Sequence, residues 1–278
     1  MMNRLLPAIA GLLLLAVLAV LGWQWFAVPV VEIEQVAPAT ALPVPPVPPR
    51  LAQGRDYEQC LGMLDDDPAA AASFAIGWEA TGGGDGARHC YALSRIALGH
   101  AAEGAALLER LAASTGAPAA VRAVIYGQAS QAWLIEQEEQ KAYDAASKAL
   151  AERPDDIDIL IDRAAIAAQL ERFDEAVADL DRALSADPER SDAMTLRATA
   201  NRNAGRLDVA ATDIARALAR DPDYPEALLE RGIIRHRLGD AETARADWER
   251  VIELAPDSAA ADLAAQNLEL LDAGPQAK

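Results

Sequence analysis

The chain has 278 residues, enough for one folded domain with further segments, and its 43 acidic and 25 basic side chains give a net charge of −18. Such an acidic balance argues against a general nucleic-acid binder, which needs a basic face. Hydrophobic residues make up 52% of the chain but aromatic ones only 5%, which favours alanine-rich helix packing over a bulky β core.

The first segment, residues 5–28, is apolar apart from Gln24 and contains an unbroken apolar run from Leu5 to Gly22. About 20 such residues span a bilayer core. Arg4 precedes the run and Glu32 follows it, which places the N-terminus in the cytoplasm by the positive-inside rule. We therefore predict that residues 1–28 form a cytoplasmic stub and one transmembrane helix in the inner membrane, with everything after them periplasmic or extracellular. A cleaved signal peptide is the alternative, although no small-x-small site lies close behind the run.

The next segment, residues 29–50, contains seven prolines. Such a composition favours an extended, solvated chain that cannot bury a core. We interpret it as a linker that holds the following domain away from the bilayer. A docking motif for a proline-reading domain is the alternative, but such domains are mainly cytoplasmic.

Residues 51–118 are predicted to form divergent N-terminal helical hairpins. Three aspartates end the first helix, and the last of them, Asp67, is a good N-cap ahead of Pro68. The glycine-rich stretch 81–86 is interpreted as a flexible turn, because it has neither the preceding strand nor the lysine of a phosphate loop. The helices expected in this region cover residues 55–64, 68–80, 87–98 and 103–113.

The chain has only two cysteines, Cys60 and Cys90, and each falls on the first helix of consecutive hairpins. Such helices are neighbours in a stack, and two cysteines outside the cytoplasm favour one disulfide. The alternative is a pair of buried thiols that act as small apolar side chains. His89 adjoins Cys90, but one histidine and two cysteines make a poor zinc site, so no metal site is predicted.

The second half of the chain has a fixed period of 34 residues. It is marked by Pro154, Pro188, Pro222 and Pro256. Such a period predicts stacked helical hairpins, with small side chains where the helix axes approach and larger ones beside them. The small residues 24 positions before each proline are Ser130, Ala164, Ala198 and Gly232, and the large ones eight positions before the last three prolines are Leu180, Ile214 and Trp248.

This pattern resembles the tetratricopeptide repeat, most clearly at residues 170–188 (LERFDEAVADLDRALSADP), 204–222 (AGRLDVAATDIARALARDP) and 231–256 (RGIIRHRLGDAETARADWERVIELAP). The resemblance implies an all-α solenoid of stacked helical hairpins, here preceded by the transmembrane helix and the proline-rich linker. A capping helix over 257–272 would cover the open end, ahead of a frayed tail at 273–278. The repeats are expected at residues 119–154, 155–188, 189–222 and 223–256.

Arginine and aspartate also recur with this period, the aspartate sixteen residues after the arginine. Both occur in three repeats and both are missing from the repeat that ends at Pro154. Because the arginine and the aspartate are present together or missing together, we predict that they contact each other directly. The arginine of the first helix of a hairpin would then bind the carboxylate of the second helix through two hydrogen bonds. A catalytic role is implausible, since active sites are not repeated in every unit of a scaffold. The predicted structural ion pairs are Arg163 with Asp179, Arg197 with Asp213, and Arg231 with Asp247.

No catalytic motif is recognisable in the chain. Its three histidines have no serine or cysteine placed as a nucleophile partner that sequence could support. An enzyme that carries the repeats as an accessory is the competing class, but no other segment is large enough for a catalytic domain. We therefore predict no catalytic residues and no cofactor.

In the family that the chain resembles, the first helix of each repeat lines a concave binding groove. Carried over to this sequence, most of the groove is apolar or neutral, with one cationic and amide cluster formed by Arg202, Asn203, His236 and Arg237. Such a cluster would hold a carboxylate or an acidic peptide segment. Alternatively, these side chains are solvated or paired with neighbouring acids such as Asp192 and Glu226. The other predicted groove residues are Ile161, Thr195, Leu229, Ala165, Thr199, Ile233, Ala168, Gln169, Gln131, Leu134 and Ile135.

Together these features predict a membrane-anchored scaffold outside the cytoplasm that binds a protein or an extended peptide in its groove. The alternative in the same class is an assembly or chaperone factor for an envelope complex, similar in layout to membrane-anchored repeat proteins of cytochrome c maturation. Nucleic acid is not an expected partner.

Overall fold

The computed structural model describes residues 50–273, whose regular secondary structure is entirely α-helical. The predicted membrane helix, all but the last residue of the proline-rich linker, and residues 274–278 of the predicted tail lie outside these residues. None of the helices between residues 50 and 273 is long and apolar enough to cross a membrane. The first six of the thirteen described helices are α1 (Arg55–Gly62), α2 (Pro68–Ala80), α3 (Gly84–Ala97), α4 (Ala101–Ser114), α5 (Ala119–Ile135) and α6 (Glu139–Glu152). The others are α7 (Ile157–Gln169), α8 (Phe173–Ala186), α9 (Ser191–Asn203), α10 (Leu207–Arg220), α11 (Pro225–Arg237), α12 (Ala241–Leu254) and α13 (Ala259–Ala273).

Consecutive helices pack against each other along the whole described chain, as expected for stacked hairpins. In the five hairpins from α3–α4 to α11–α12, the turn after the first helix places one residue in the left-handed region, where glycine is favoured. Three of the five turns use glycine and two use a longer polar side chain. The residues and their φ angles are Gly99 (82°), Gln137 (57°), Glu171 (59°), Gly205 (79°) and Gly239 (90°).

The start of α2 is capped as predicted: the Asp67 carboxylate accepts a hydrogen bond from the Ala70 N–H at 2.9 Å. The interpretation of residues 81–86 as a flexible turn is wrong in its second half, because α3 begins at Gly84. Gly83 and Gly86 instead let the indole of Trp78 approach the backbone. A Cβ atom would lie 2.7 Å from Trp78 Cγ at Gly83, and 2.8 Å from Trp78 Cη2 at Gly86.

Small and large side chains complement each other inside the repeats. Trp248 of α12 is 1% exposed, and its Nε1–H donates to the Leu229 carbonyl at 3.3 Å. A Cβ atom at Gly232 would lie only 2.7 Å from Trp248 Cδ1. The two preceding repeats have Ala198 and Ala164 in the position of Gly232. The larger indole of the last repeat therefore requires the smallest residue opposite it.

We expect Gly232→Ala to lower the free energy of unfolding by about 2 kcal/mol, because the added methyl group overpacks the indole. Gly127→Ala is the matched control. Gly127 also lies inside a helix, but a Cβ atom there meets nothing within 4 Å, so alanine should stabilise by roughly 0.5–1 kcal/mol. Chemical denaturation followed by circular dichroism measures both, and Trp248→Leu should relieve part of the defect of Gly232→Ala. Equal effects of the two alanine substitutions would refute the packing argument.

The three predicted arginine–aspartate pairs form bidentate contacts between the two helices of each hairpin. Arg163 binds Asp179 with Nε–Oδ2 and Nη2–Oδ1 distances of 2.7 Å each. The corresponding distances are 2.8 and 2.6 Å from Arg197 to Asp213 and 2.9 and 2.6 Å from Arg231 to Asp247. All three aspartates are buried, so each pair ties its helices together where water is largely excluded.

At the N-terminal end, α1 and α3 are joined by a cysteine pair at disulfide distance. The Cα atoms of Cys60 and Cys90 are 6.2 Å apart, and both residues are fully buried. Beside them, His89 is also buried, with Nδ1 2.8 Å from the Tyr57 hydroxyl and Nε2 2.7 Å from Gln128 Oε1. If Nε2–H donates to Gln128 and the Tyr57 hydroxyl donates to Nδ1, the neutral imidazole satisfies both contacts.

Burial lowers the pKa of His89 below its usual value, although the hydrogen bond to Gln128 acts the other way. The unfolded chain therefore takes up a proton near pH 6.5 that the folded chain resists. His89 consequently supports the fold above about pH 6.5, and this contribution should be lost as the pH falls towards the depressed pKa. We expect the melting temperature of the wild type to fall more than that of His89→Gln between pH 7.5 and pH 5.5. Parallel falls in the two proteins would contradict this.

Candidate functional site

The face formed by the first helices of the hairpins is the concave side of the stack. First helices contact each other across successive hairpins, α7 with α9, α9 with α11, and α11 with α13. The second helices, α6, α8, α10 and α12, make no comparable contacts with one another. A stack whose first helices lie closer together than its second helices must curve towards the first helices.

A cleft opens at one junction on this face. Helices α5 and α7, like α3 and α5, make fewer direct contacts with each other than the later first helices do. The two larger hydrophobic clusters overlap here, since the first includes Ile166 of α7 and the second includes Leu150 of α6. Beside this shared core, the sparse contact between α5 and α7 leaves a cleft of ≈ 180 Å³, which is also lined by Ala146 of α6. Its other lining residues are Gly127, Ser130, Gln131, Leu134, Ile159, Asp162, Ala165, Ile166 and Gln169.

The lining of the cleft is mostly apolar, with three polar side chains that can bind a ligand: Gln131, Gln169 and Asp162. Ser130 is already engaged, because its hydroxyl donates to the Ala142 carbonyl at 2.8 Å. Burial raises the pKa of Asp162, and repulsion from Asp158 and Asp156 raises it further, while Arg190 lowers it. The cleft is therefore an apolar recess with a carboxylate whose negative charge is poorly compensated.

Of the predicted groove residues, the structure brings Gln131, Leu134, Ala165 and Gln169 together in the cleft. It does not expose the first predicted ladder, Ile161, Thr195 and Leu229, which are only 7 to 9% exposed. Their side chains are covered where consecutive first helices pack together. The remaining predicted neutral positions are half-buried or exposed: Thr199, Ile233, Ala168 and Ile135.

The predicted cationic cluster is smaller than expected, because a buried carboxylate neutralises one of its arginines. The guanidinium of Arg202 forms an ion pair with Glu230, and the two side chains are only 11% and 6% exposed. Arg202 Nη1 also donates to Asn203 Oδ1 at 2.9 Å. Asp192 and Glu226 were the acidic partners expected from the sequence, but Glu230 on the next first helix, α11, takes this role. Arg202 and Asn203 are therefore engaged within the protein.

Two members of that cluster keep exposed side chains, His236 and Arg237. The ring of His236 lies 5.9 Å from that of Trp248. Arg237 Nη1 donates to the carbonyl oxygen of Arg202 at 3.2 Å. One exposed guanidinium and one imidazole are thus left in place of the four-residue cluster.

Six of the ten cleft residues were not among the predicted groove positions: Gly127, Ser130, Ala146, Ile159, Asp162 and Ile166. Helical spacing could have found two of them. Gly127 lies one turn before the predicted Gln131, and Asp162 lies one turn before the predicted Ala165 on the same side of α7. The opening between α5 and α7 itself has no sequence signal. Elsewhere in residues 50–273, no three His, Cys, Asp or Glu side chains are grouped so as to hold a metal ion.

Comparison with known proteins identifies the repeats. A family model described as tetratricopeptide repeat matches residues 161–225 and, in an overlapping second match, residues 195–259. No curated protein sequence matches the chain.

Solved structures show the same fold at low sequence identity. A structure named MamA RS-1 ArsTM double mutant has a TM-score of 0.52 at 17% identity and covers 74% of this chain and 99% of its own. MamA 41-end from Desulfovibrio magneticus RS-1 has a TM-score of 0.52 at 18% identity, covering 74% and 100%. A further MamA crystal structure has a TM-score of 0.51 at 11% identity, covering 59% and 94%. Residues 161–259 therefore match the tetratricopeptide repeat model, and the described residues share the all-helical solenoid fold of these structures.

Proposed function

We propose that this protein is a scaffold that binds an extended peptide segment of a protein partner on its first-helix face. The observation that carries the proposal is the cleft between α5 and α7, where apolar side chains lie open beside the free amides of Gln131 and Gln169. Amide side chains both donate and accept hydrogen bonds. They therefore suit the backbone of an extended peptide, while the apolar walls suit one of its side chains.

The size of the cleft favours a peptide over a small metabolite. Sites for small molecules usually enclose about 300–1,000 Å³ and bury most of the ligand. The cleft offers ≈ 180 Å³, which is enough for one large side chain but not for a whole cofactor. A peptide fits this geometry because its other residues can lie along the neighbouring first helices.

We further propose that the scaffold is anchored in the inner membrane through residues 5–28, with its solenoid outside the cytoplasm. The support is the apolar run from Leu5 to Gly22 together with the cysteine pair at disulfide distance. Disulfides persist mainly in oxidising compartments. A reporter that is active only after export, fused after Lys278, should be active with the full-length chain mass retained in membranes. A soluble species that starts near Thr40 would instead indicate a cleaved signal peptide.

The acidic peptide predicted from the sequence remains an alternative ligand for the far end of the face. There the exposed Arg237 and His236 are the available cationic groups, since Arg202 is neutralised by Glu230. Arg202→Ala would leave Glu230 buried without its partner, so the single variant Arg237→Ala is the informative one. Weaker binding of an acidic peptide by Arg237→Ala would support this alternative.

The scaffold function is tested by selecting a displayed library of random linear peptides on the full-length protein in detergent. Gly127→Leu is the blocking variant, because a side chain added there enters the cleft without meeting other atoms near its Cβ. We expect selected peptides to lose binding to Gly127→Leu and to retain it with Thr212→Leu, an exposed position on the second helix α10. Peptides that bind both variants equally well would show that the cleft is not the site.

A further inference from the structure

The acids and bases around the cleft are unequal in number. Asp156, Asp158, Asp162 and Asp192 lie at the start of α7, within it and at the start of α9, and the basic side chains that contact members of this set are Arg153 and Arg190. Arg190 binds Asp158 at 2.9 Å and Asp192 at 2.7 Å, and Arg153 binds Asp156 at 3.0 Å. Both guanidiniums are therefore engaged by other carboxylates. Asp162, which lines the cleft, forms no ion pair with any basic side chain in residues 50–273.

The position of Asp162 makes this unpaired charge available to a ligand. It lies on α7 one turn before Ile166 and two turns before Gln169, with which it shares the cleft wall. The residue is accessible to solvent, but its carboxylate borders the apolar lining of the cleft and is partly desolvated there. An ion pair formed on the cleft side is therefore less screened than one on an open surface. The negative charge of the nearby Asp158 and Asp156 acts in the same direction.

We infer that the cleft binds a cationic side chain, lysine or arginine, of an extended peptide with apolar neighbours. The alkyl stem of such a side chain would pack on Leu134 and Ile159, while its charged head reaches Asp162. Gln131 and Gln169 would accept further hydrogen bonds from it through their carbonyl oxygens. This inference rests on the proposed peptide-binding function and specifies its ligand class, opposite in charge to the acidic segment expected from the sequence.

Two pools of nine-residue peptides test the assignment. Both contain the same mixture of apolar and small residues, and they differ only in the central residue, lysine in one pool and glutamate in the other. The full-length protein is immobilised in detergent, and the retained peptides are quantified by mass spectrometry. We expect the lysine pool to be retained about fivefold better, the scale of one partly solvated ion pair.

Asp162→Asn removes the charge while keeping the shape, and should bring the ratio of the two pools close to one. Asp262→Asn is the matched control. It removes the same charge from an exposed site on α13 and should leave the ratio unchanged, which separates the local effect from the net charge of −18. Unchanged melting temperatures verify that both variants fold.

The possible failures are distinguishable. Equal retention of the two pools, stronger retention of the glutamate pool, or a lysine preference that survives Asp162→Asn would overturn the cationic assignment alone. Retention that is unaffected by Gly127→Leu, or no retention of either pool, would overturn the peptide-binding function of the cleft as well. Replacing both Gln131 and Gln169 with alanine, which removes the two exposed amides of the cleft, keeps this comparison valid if the leucine variant does not fold.

Discussion

Removing the Cys60–Cys90 link by a double substitution to alanine is expected to destabilise the N-terminal hairpins by about 3 kcal/mol. The two cysteines are 30 residues apart, and opening a loop of that length returns conformational entropy to the unfolded chain. The effect should be local, because a solenoid unit contacts only its neighbours. Cys60 and Cys90 belong to a small apolar cluster of their own, separate from the two larger ones.

Hydrogen exchange followed by mass spectrometry can localise this loss. We expect faster exchange in α1 and α2 of the double alanine variant, with little change from α9 onward. Reducing the wild type should reproduce the pattern, which controls for the substitutions themselves. Labelling of two free thiols in the folded, unreduced protein would show that the link does not form.

The second large effect is expected at the first arginine–aspartate pair. Asp179→Ala should lower the free energy of unfolding by about 3 kcal/mol, because it leaves a largely buried guanidinium without its carboxylate. The side chain of Arg163 is 19% exposed, and its only other hydrogen-bond partner among the described residues is the Ser147 hydroxyl at 3.1 Å.

The same substitution one repeat later provides the matched comparison. Arg197 keeps a second carboxylate, Asp181, at 2.6 Å, so Asp213→Ala should cost only about 1–2 kcal/mol. In a double-mutant cycle with Arg163→Ala, Asp179 should show a coupling of at least about 1 kcal/mol. An additive cycle, or an equal loss in the two repeats, would show that the pairs do not act as described.

The repeat architecture could be predicted because it depends on a pattern that sequence displays directly. The period of 34 residues indicated the hairpins, and the joint presence of Arg163 with Asp179 indicated a contact across a hairpin. These features are local, since each lies within one or two helices. The turn residue after each first helix was harder to predict, because Gln137 and Glu171 adopt the left-handed conformation without being glycine.

The binding face could be predicted only in part, because it depends on how far apart neighbouring first helices lie. Burial of Ile161, Thr195 and Leu229 follows from close packing of these helices, and the cleft lies where α5 and α7 make fewer contacts with each other. Neither distance is encoded in a single repeat. The Arg202–Glu230 pair also joins two different repeats, and its two residues are not at equivalent positions of the 34-residue period.

Photo-crosslinking in intact cells tests the central claim, that the first-helix face binds a protein partner. A photoreactive amino acid is placed in the full-length chain at Gln131, which lines the cleft, or at Thr212, which is exposed on the second helix α10. We predict a discrete crosslinked product from position 131 that disappears when Gly127→Leu is added, and no such product from position 212. Crosslinking that is equal at the two positions, or that persists with the cleft filled, would contradict the account.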